Sequence, residues 1–370
     1  MSRMSSLTTS CLAAPVAIAL AAFVGAPTQA KACELPENRP HQSFAAPSAT
    51  YDTDGFIHMV EQMMSDYFMG YVVAIQDRNG DLVAAVNHGW ARTPCAPEGA
   101  LGFSNNTYAP WGSVTKAITA TAVMRKNEIV NGRNVDHRMI DYLPPEWRSE
   151  VSPAYEGLTI GNLIQHRGGF DKKAPRVDGE PLTVRQRLAQ VEPERPVAAG
   201  RKYANINYTL FDYMPTFLNP NAEIAPPPAG LSVEEYDAYY RAEGAKVHIR
   251  HLRKRLFDPI GVNLSCNDPT HTGDNYARNY GGRNDTKEGY LVNTTDEIGC
   301  AVGGIVLSPA GMLKFLHAVS LTDTLVSRDT WALMARDSVE RYGWPQRPDV
   351  RQDPSVGGEY NGGLAYGHSG

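Results

Sequence analysis

The run WGSVTKAITATAV, from Trp111 to Val123, constrains the fold more than any other stretch of the chain. Its Ala, Ile, Val and Thr are apolar enough to lie inside a protein, yet Lys116 sits among them, one helical turn after Ser113. On a helix, residues at i and i+3 project from one face, so hydroxyl and amine share a side. A serine hydroxyl is a poor nucleophile until a base takes its proton. A lysine can be that base when burial disfavours its ammonium form, and the apolar run supplies the burial. If Ser113 opens the helix, its hydroxyl also lies near unpaired N–H groups and the positive end of the dipole. The pattern alone is weak: with 19 Ser and 10 Lys in 370 residues, chance supplies Ser-x-x-Lys about half a time.

The rest of the composition narrows the classes of function. The chain has 42% hydrophobic and 20% charged residues and a net charge of −5, without long single-sign runs. Nothing in this balance asks for nucleic acid. The basic run HIRHLRKR, His248 to Arg255, has Ile249, Leu252 and Leu256 beneath it at helical spacing, which predicts a solvated helix face.

Residues 1–30 have an early Arg, an apolar stretch from Cys11 to Ala26 and small residues before Lys31, the pattern of a secretory signal. The apolar stretch is short for a membrane span, which needs about 20 residues. Cleavage is predicted after Ala30 or Ala32, and Lys31 argues against lipid attachment at Cys33. A secreted or periplasmic chain with no membrane span after signal removal follows. Export places Cys33, Cys95, Cys266 and Cys300 in an oxidising compartment. Their spacing does not suit zinc, and His248 and His251 lack the partner acid of a metalloprotease helix, so no metal or cofactor is called for. Loop closure favours the pairs Cys33–Cys95 and Cys266–Cys300 among the three connectivities, with four free buried thiols as the alternative.

A polar leader over residues 31–50 precedes the main domain, 51–370. Helical periodicity is read over Phe56 to Phe68, then YVVAIQ and DLVAAV flank Arg78-Asn79-Gly80, a strong hairpin signal. Helices are predicted from Ser113 to about Val130, at TIGNLIQH, at TVRQRLAQ and through YTLFDYMPTFL. After the Pro-rich loop AEIAPPPAG, Ser232 and Glu235 form a capping box for a long helix ending at Asp258-Pro259. GGIVL reads as a strand, and Ser308-Pro309 opens another helix. The fold class is therefore α/β plus all-α: an α/β layer at about 51–115 and 300–370, interrupted by a helical part at about 116–299.

Two further patterns carry chemistry. Tyr203-Ala204-Asn205 is the chain's only Tyr-x-Asn; the phenol can relay protons and the amide can orient the lysine, whereas the plain alternative is Asn as a helix cap. His-x-Gly occurs three times, at His166, His271 and His368. His368-Ser369-Gly370 follows a plausible strand, His271 lies in turn chemistry, and His166 reads as a residue capping helix carbonyls.

Taken in order, Ser113-Val-Thr-Lys116, Tyr203-Ala-Asn205 and His368-Ser369-Gly370 resemble the three motifs of the penicillin-recognising serine hydrolases. The nearest branch is similar to class C β-lactamases, D-alanyl-D-alanine carboxypeptidases and related esterases and D-aminopeptidases. The phrases IDYLP, LTIGNLIQHRGGF, LFDPIGV and AVGGIVLSPAGMLKFLHAV resemble the family's connecting segments in the family's order. The resemblance implies a β-lactamase/transpeptidase-like antiparallel sheet flanked by helices, with an inserted helical domain. It implies acyl transfer through a covalent ester on a small-molecule or peptide substrate, such as cell-wall peptide. Ser113 would attack, Lys116 and Tyr203 would share the proton, Asn205 would hold Lys116 and touch substrate, and His368 would favour a substrate carboxylate or the phenolate. Ser369 and Gly370 would line the substrate site, and the Ser113 N–H would be one oxyanion donor.

Two departures from the family pattern shape the expectation. His368 stands where most β-lactamases of the family have Lys, which points to peptidase or esterase chemistry rather than strong β-lactamase activity. The sequence ends at Gly370, just before the residue that supplies the second oxyanion donor, so the chain reads as truncated, with C-terminal strands and helix missing. Two other readings remain open: a non-catalytic penicillin- or peptidoglycan-binding sensor of this fold, and an α/β-hydrolase with Ser369 as nucleophile.

Overall fold

A computed structural model of the chain describes residues 33–335, apart from 49–50, 130–133, 192, 194–195, 199, 223 and 292–298. The signal-like segment and the motif at His368, Ser369 and Gly370 lie outside the described residues.

The first layer is an antiparallel sheet in which a long central strand is flanked by two others. Strand β1 (His41–Ala45) and strand β2 (Gly70–Gln76) both pair with β3 (Leu82–Arg92), and Leu101–Gly102 extends the sheet beyond Trp90. The hairpin between β2 and β3 turns where the sequence predicts it. The Asp77 carboxylate accepts the N–H groups of Asn79 and Asp81 at 2.8 and 3.0 Å, and Gly80 takes φ +89°, a conformation that favours glycine. This sets a register of Val73 opposite Val86 and Ile75 opposite Ala84. Helix α1 (Thr53–Met64), capped by the Asp52 side chain, lays Val60 against Tyr71 and Val86 on one face of the sheet. The sequence reading extends this helix to Phe68, but the residues past Met64 turn outward and leave Tyr67 and Phe68 exposed. The segment read as leader contributes β1, an exposed edge strand too polar to announce itself.

A second sheet joins the two ends of the helical part. Ile305–Leu307 pairs antiparallel with Ala109–Pro110 on one side and Ser265–Cys266 on the other. Cys266 is bonded to Cys300 and Cys33 to Cys95, with Cα–Cα separations of 5.5 and 5.6 Å. These are the two pairs that loop closure favours.

Helix α2 (Thr115–Ile129) runs through the principal core. Apolar residues occur on every side of it, and Lys116 through Met124 are all buried, so it is a central helix rather than an amphipathic surface one. Ile118, Val123 and Met124 belong to the same cluster as Leu163, Phe211, Phe217, Leu256 and Phe315. Each such side chain, fully buried, contributes about 1.5–3 kcal/mol of transfer free energy.

Three predicted helices are reshaped. The α2 helix does not begin at Ser113: Gly112, at φ +50°, starts a 3₁₀ turn over Gly112–Val114, and the α-helix follows from Thr115. The segment YTLFDYMPTFL breaks into Ile206–Thr209, a 3₁₀ turn Leu210–Tyr213 and Pro215–Leu218, because Pro215 lacks the N–H that would continue the ladder. The long helix opened by the Ser232–Glu235 capping box is α-helical over Val233–Leu252, widens to a π turn at Arg253–Phe257 and closes at Asp258–Ile260. Ser308 caps the helix Pro309–Ser320. Two antiparallel sheets and the helices packed on them make a mixed α/β fold.

Candidate active site

Four segments meet at Ser113. The 3₁₀ turn carrying Ser113 is held against the second sheet by Trp111, whose backbone N–H donates to the Ile305 carbonyl at 3.0 Å and whose indole N–H donates to the Leu307 carbonyl at 2.8 Å. Lys116 Nζ donates to Ser113 Oγ at 2.9 Å and to the Val302 carbonyl at 3.0 Å. Ser113 Oγ lies 2.7 Å from Tyr203 Oη, and the ammonium stands 5.2 Å from the centroid of the same phenol ring. Hydroxyl, amine and phenol thus form one hydrogen-bonded chain. The Ser113 backbone N–H has no acceptor among the described residues.

Burial sets the electrostatics. Lys116 is 0% exposed and has no carboxylate against it among the described residues, and desolvation lowers its pKa from the ordinary 10.5 to about 7. Tyr203 moves the other way: burial raises the phenol above its usual value, against the opposing effects of the Ser113 hydrogen bond and Arg201. Near neutral pH the trio therefore contains an amine able to accept a proton and a phenol that keeps its own.

The Val302 carbonyl is fixed by a turn that the sequence reading does not single out as functional. The N–H groups of Val302, Gly303 and Gly304 all donate to the Gly299 carbonyl, and the Ala301 N–H donates to the buried Asp212 carboxylate at 3.1 Å. Thr119 Oγ1, one turn along α2 from Lys116, donates to the Ala301 carbonyl at 2.8 Å. Desolvation pushes the Asp212 pKa up to about 7, opposed by Arg241 and by the Ala301 and Cys300 N–H groups. Gly299 is required here, because a Cβ would lie 1.7 Å from Asp212 Oδ2.

Asn205 departs from its expected role. It sits at the start of the Ile206–Thr209 helix, its backbone carbonyl accepts the N–H groups of Tyr208 and Thr209, and its side chain makes no capping bond. It does not hold Lys116; its Oδ1 is buried without a hydrogen-bond partner. The amine is held by the Val302 carbonyl instead.

His166 is a second correction. Its φ of +57° turns the chain sharply out of the Ile160–Ile164 helix, and its ring lies 4.5 Å from the Tyr203 ring and 5.0 Å from Tyr208 rather than over helix carbonyls. Its Nδ1 accepts the Ala204 N–H at 3.4 Å, and its carbonyl accepts the Lys202 N–H at 2.9 Å. His166 therefore braces the backbone on both sides of Tyr203. The Gly168-Gly169 pair after it was the available signal of a tight turn. Asn207 completes the brace by accepting the Gly168 N–H, and a Cβ on Gly168 would stand 2.4 Å from Asn207 Oδ1. No group of His, Cys, Asp or Glu able to hold a metal occurs among the described residues.

The β-lactamase family model matches residues 56–214, which include Ser113, Lys116 and Tyr203. No curated protein matches the sequence significantly. Among solved structures, a β-lactamase/D-alanine carboxypeptidase from Pseudomonas syringae is similar at 18% identity and TM-score 0.57, over 86% of this chain and 82% of that one. The D-amino acid amidase from Ochrobactrum anthropi SV3 is similar at 15% identity and TM-score 0.54, over 86% of this chain and 84% of that one. SurE crystallised with D-Leu is similar at 16% identity and TM-score 0.51; the match covers 80% of this chain and 62% of SurE. The chain thus matches the β-lactamase family model over residues 56–214 and has a β-lactamase/transpeptidase-like fold.

Proposed function

We propose that the protein is a serine hydrolase that works through an acyl-enzyme. The carrying observation is the 2.9 Å hydrogen bond from Lys116 Nζ to Ser113 Oγ at a lysine with no exposed surface. As Ser113 Oγ bonds to a substrate carbonyl carbon, its proton passes to the neutral Lys116 amine. The Ser113 N–H faces the developing oxyanion. When the carbon–nitrogen or carbon–oxygen bond breaks, Tyr203 hands its proton to the leaving group and regains one from Lys116. Water then attacks the ester, gives up a proton through the same groups and frees Ser113.

The substrate is an amide or ester of modest size: a D-alanyl peptide, a β-lactam or a small ester. The similar structures named for D-alanine, a D-amino acid amide and D-Leu support a D-amino acid amide. Asn205, with its unpaired Oδ1, is assigned to a substrate N–H, and His368 to a substrate carboxylate or the phenolate. Export to an oxidising compartment is supported by the two disulfides and by the apolar segment between Cys11 and Ala26. No helix among the described residues is long and apolar enough to cross a membrane.

The test compares kcat/KM for a chromogenic cephalosporin, a short-chain nitrophenyl ester and a D-amino acid peptide. Turnover of at least one, lost in Ser113→Ala, supports the reading. Turnover that survives Ser113→Ala overturns it, and permanent acylation by penicillin without turnover points to the sensor alternative.

A further inference from the structure

The far end of α2 opens onto a second site. A cavity of about 380 Å³ is lined by Arg125 and Lys126 of α2 and by Arg250, His251, Lys254 and Arg255, where the Val233–Leu252 helix widens into its π turn. It lies about 15 Å along the helix axis from Lys116. The basic run exposes Arg250, Lys254 and Arg255 as the solvated face that its spacing predicts, and it also forms one wall of this cavity; no Asp or Glu among the described residues lines it.

Lys126 is only 8% exposed, and its ammonium stands 4.5 Å from the centroid of the Phe217 ring. Among the described residues the side chains of Lys126, Arg250, Lys254 and Arg255 have no hydrogen-bonded or ion-paired acid, and only Arg125 meets a carboxylate, Glu128 at 3.6 Å. His251 Nε2 is buried without a hydrogen-bond partner. Cations do gather at helix C-termini, but each such end carries only about half a negative charge. Two ends offset about one of the four cations here that have no ion-paired acid among the described residues. A buried cation without a counter-charge is costly, and an incoming anion removes that cost.

We propose that this cavity binds a small multivalent oxyanion of the phosphate or pyrophosphate class, with Lys126 at its floor and Arg250 and Lys254 at its rim. Its size falls in the range of small-ligand pockets, about 300–1,000 Å³. Guanidinium and ammonium groups on two helices match an anion with oxygens on more than one side.

Isothermal titration of the full chain with inorganic pyrophosphate, at neutral pH and constant ionic strength set by chloride, tests the site. The expected result is one saturable site, weakened at least tenfold in Lys126→Met and in the double variant Arg250→Gln/Lys254→Gln. Arg250 and Lys254 are exposed, so the double variant carries the test if Lys126→Met fails to fold. A parallel titration with inorganic phosphate separates a single-phosphate ligand from a longer one. Absence of saturable binding to either anion, equal binding by wild type and both variants, or binding only to vesicles of anionic lipid would each overturn the proposal.

Discussion

Helix α2 buries a lysine near each end, and the two differ in what their amines meet. Lys116 is 0% exposed and Lys126 8%, and in both cases desolvation lowers the pKa, to about 7 and about 8. Lys116 donates to a serine hydroxyl and a backbone carbonyl, whereas Lys126 faces an aromatic ring and an open cavity lined, among the described residues, by no acid. Burial alone makes an amine easier to deprotonate; only a hydroxyl at hydrogen-bond distance turns that amine into a base. The same helix thus carries the proposed proton acceptor at one end and, at the other, a cation with no paired acid among the described residues.

The comparison can be broken most sharply at the proposed nucleophile. Ser113→Ala is expected to abolish covalent labelling by a fluorescent penicillin, read by gel fluorescence or intact mass. Next, Lys116→Met should slow acylation by about 10² to 10⁴, the usual contribution of a positioned base. Lys126→Met should leave acylation within about twofold of wild type, since its amine touches no reacting group. Equal losses in the two variants would show that position along the helix does not matter.

Stability sharpens the contrast from the other side. The folded pKa of Lys126 lies below its unfolded value, so below about pH 8 both states are charged and the folded state carries the whole desolvation cost. That cost fades as pH rises from about 8 toward 10.5, where the unfolded amine also loses its proton. Lys126→Met should therefore raise unfolding free energy at pH 7 by up to about 3 kcal/mol, and by little near pH 11, measured by denaturant titration. A smaller loss than at Lys116 is expected at His166: its removal loosens Tyr203 without touching the reacting atoms. His166→Ala should lower kcat by about tenfold with KM nearly unchanged, whereas a purely structural role would lower the active fraction and leave kcat per labelled site intact.

Much of the candidate site's geometry was legible because it is local. Ser113 and Lys116 are three residues apart, and the apolar run around them announced the burial that tunes the amine. The Asn79-Gly80 hairpin, the Ser232 capping box and the Ser308 cap were legible for the same reason, since each is a short-range hydrogen-bonding pattern. Contacts between distant segments were not. Nothing near Val302 says that its carbonyl receives Lys116, and nothing near His166 says that its ring packs on Tyr203; both depend on how the turns at 166–169 and 299–304 dock on α2 and the Tyr203 segment. The basic run is the solvated face that its apolar beat at Leu252 and Leu256 predicts, but the cavity beside it is made jointly with the distant Arg125 and Lys126 and so was not legible.

The central claim is that a neutral Lys116 amine takes the Ser113 proton, and the most direct measurement is the single-turnover acylation rate from about pH 5 to 9. The wild-type rate should rise with pH through about 7 and then level, as the Lys116 ammonium loses its proton. Asp212 is also pushed up to about 7, so the same series is run on Asp212→Asn, which should keep the rise, and on Lys116→Ala, which should lose both the rise and most of the rate. A Lys116→Ala chain that acylated at the wild-type rate, with the same pH dependence, would contradict the account.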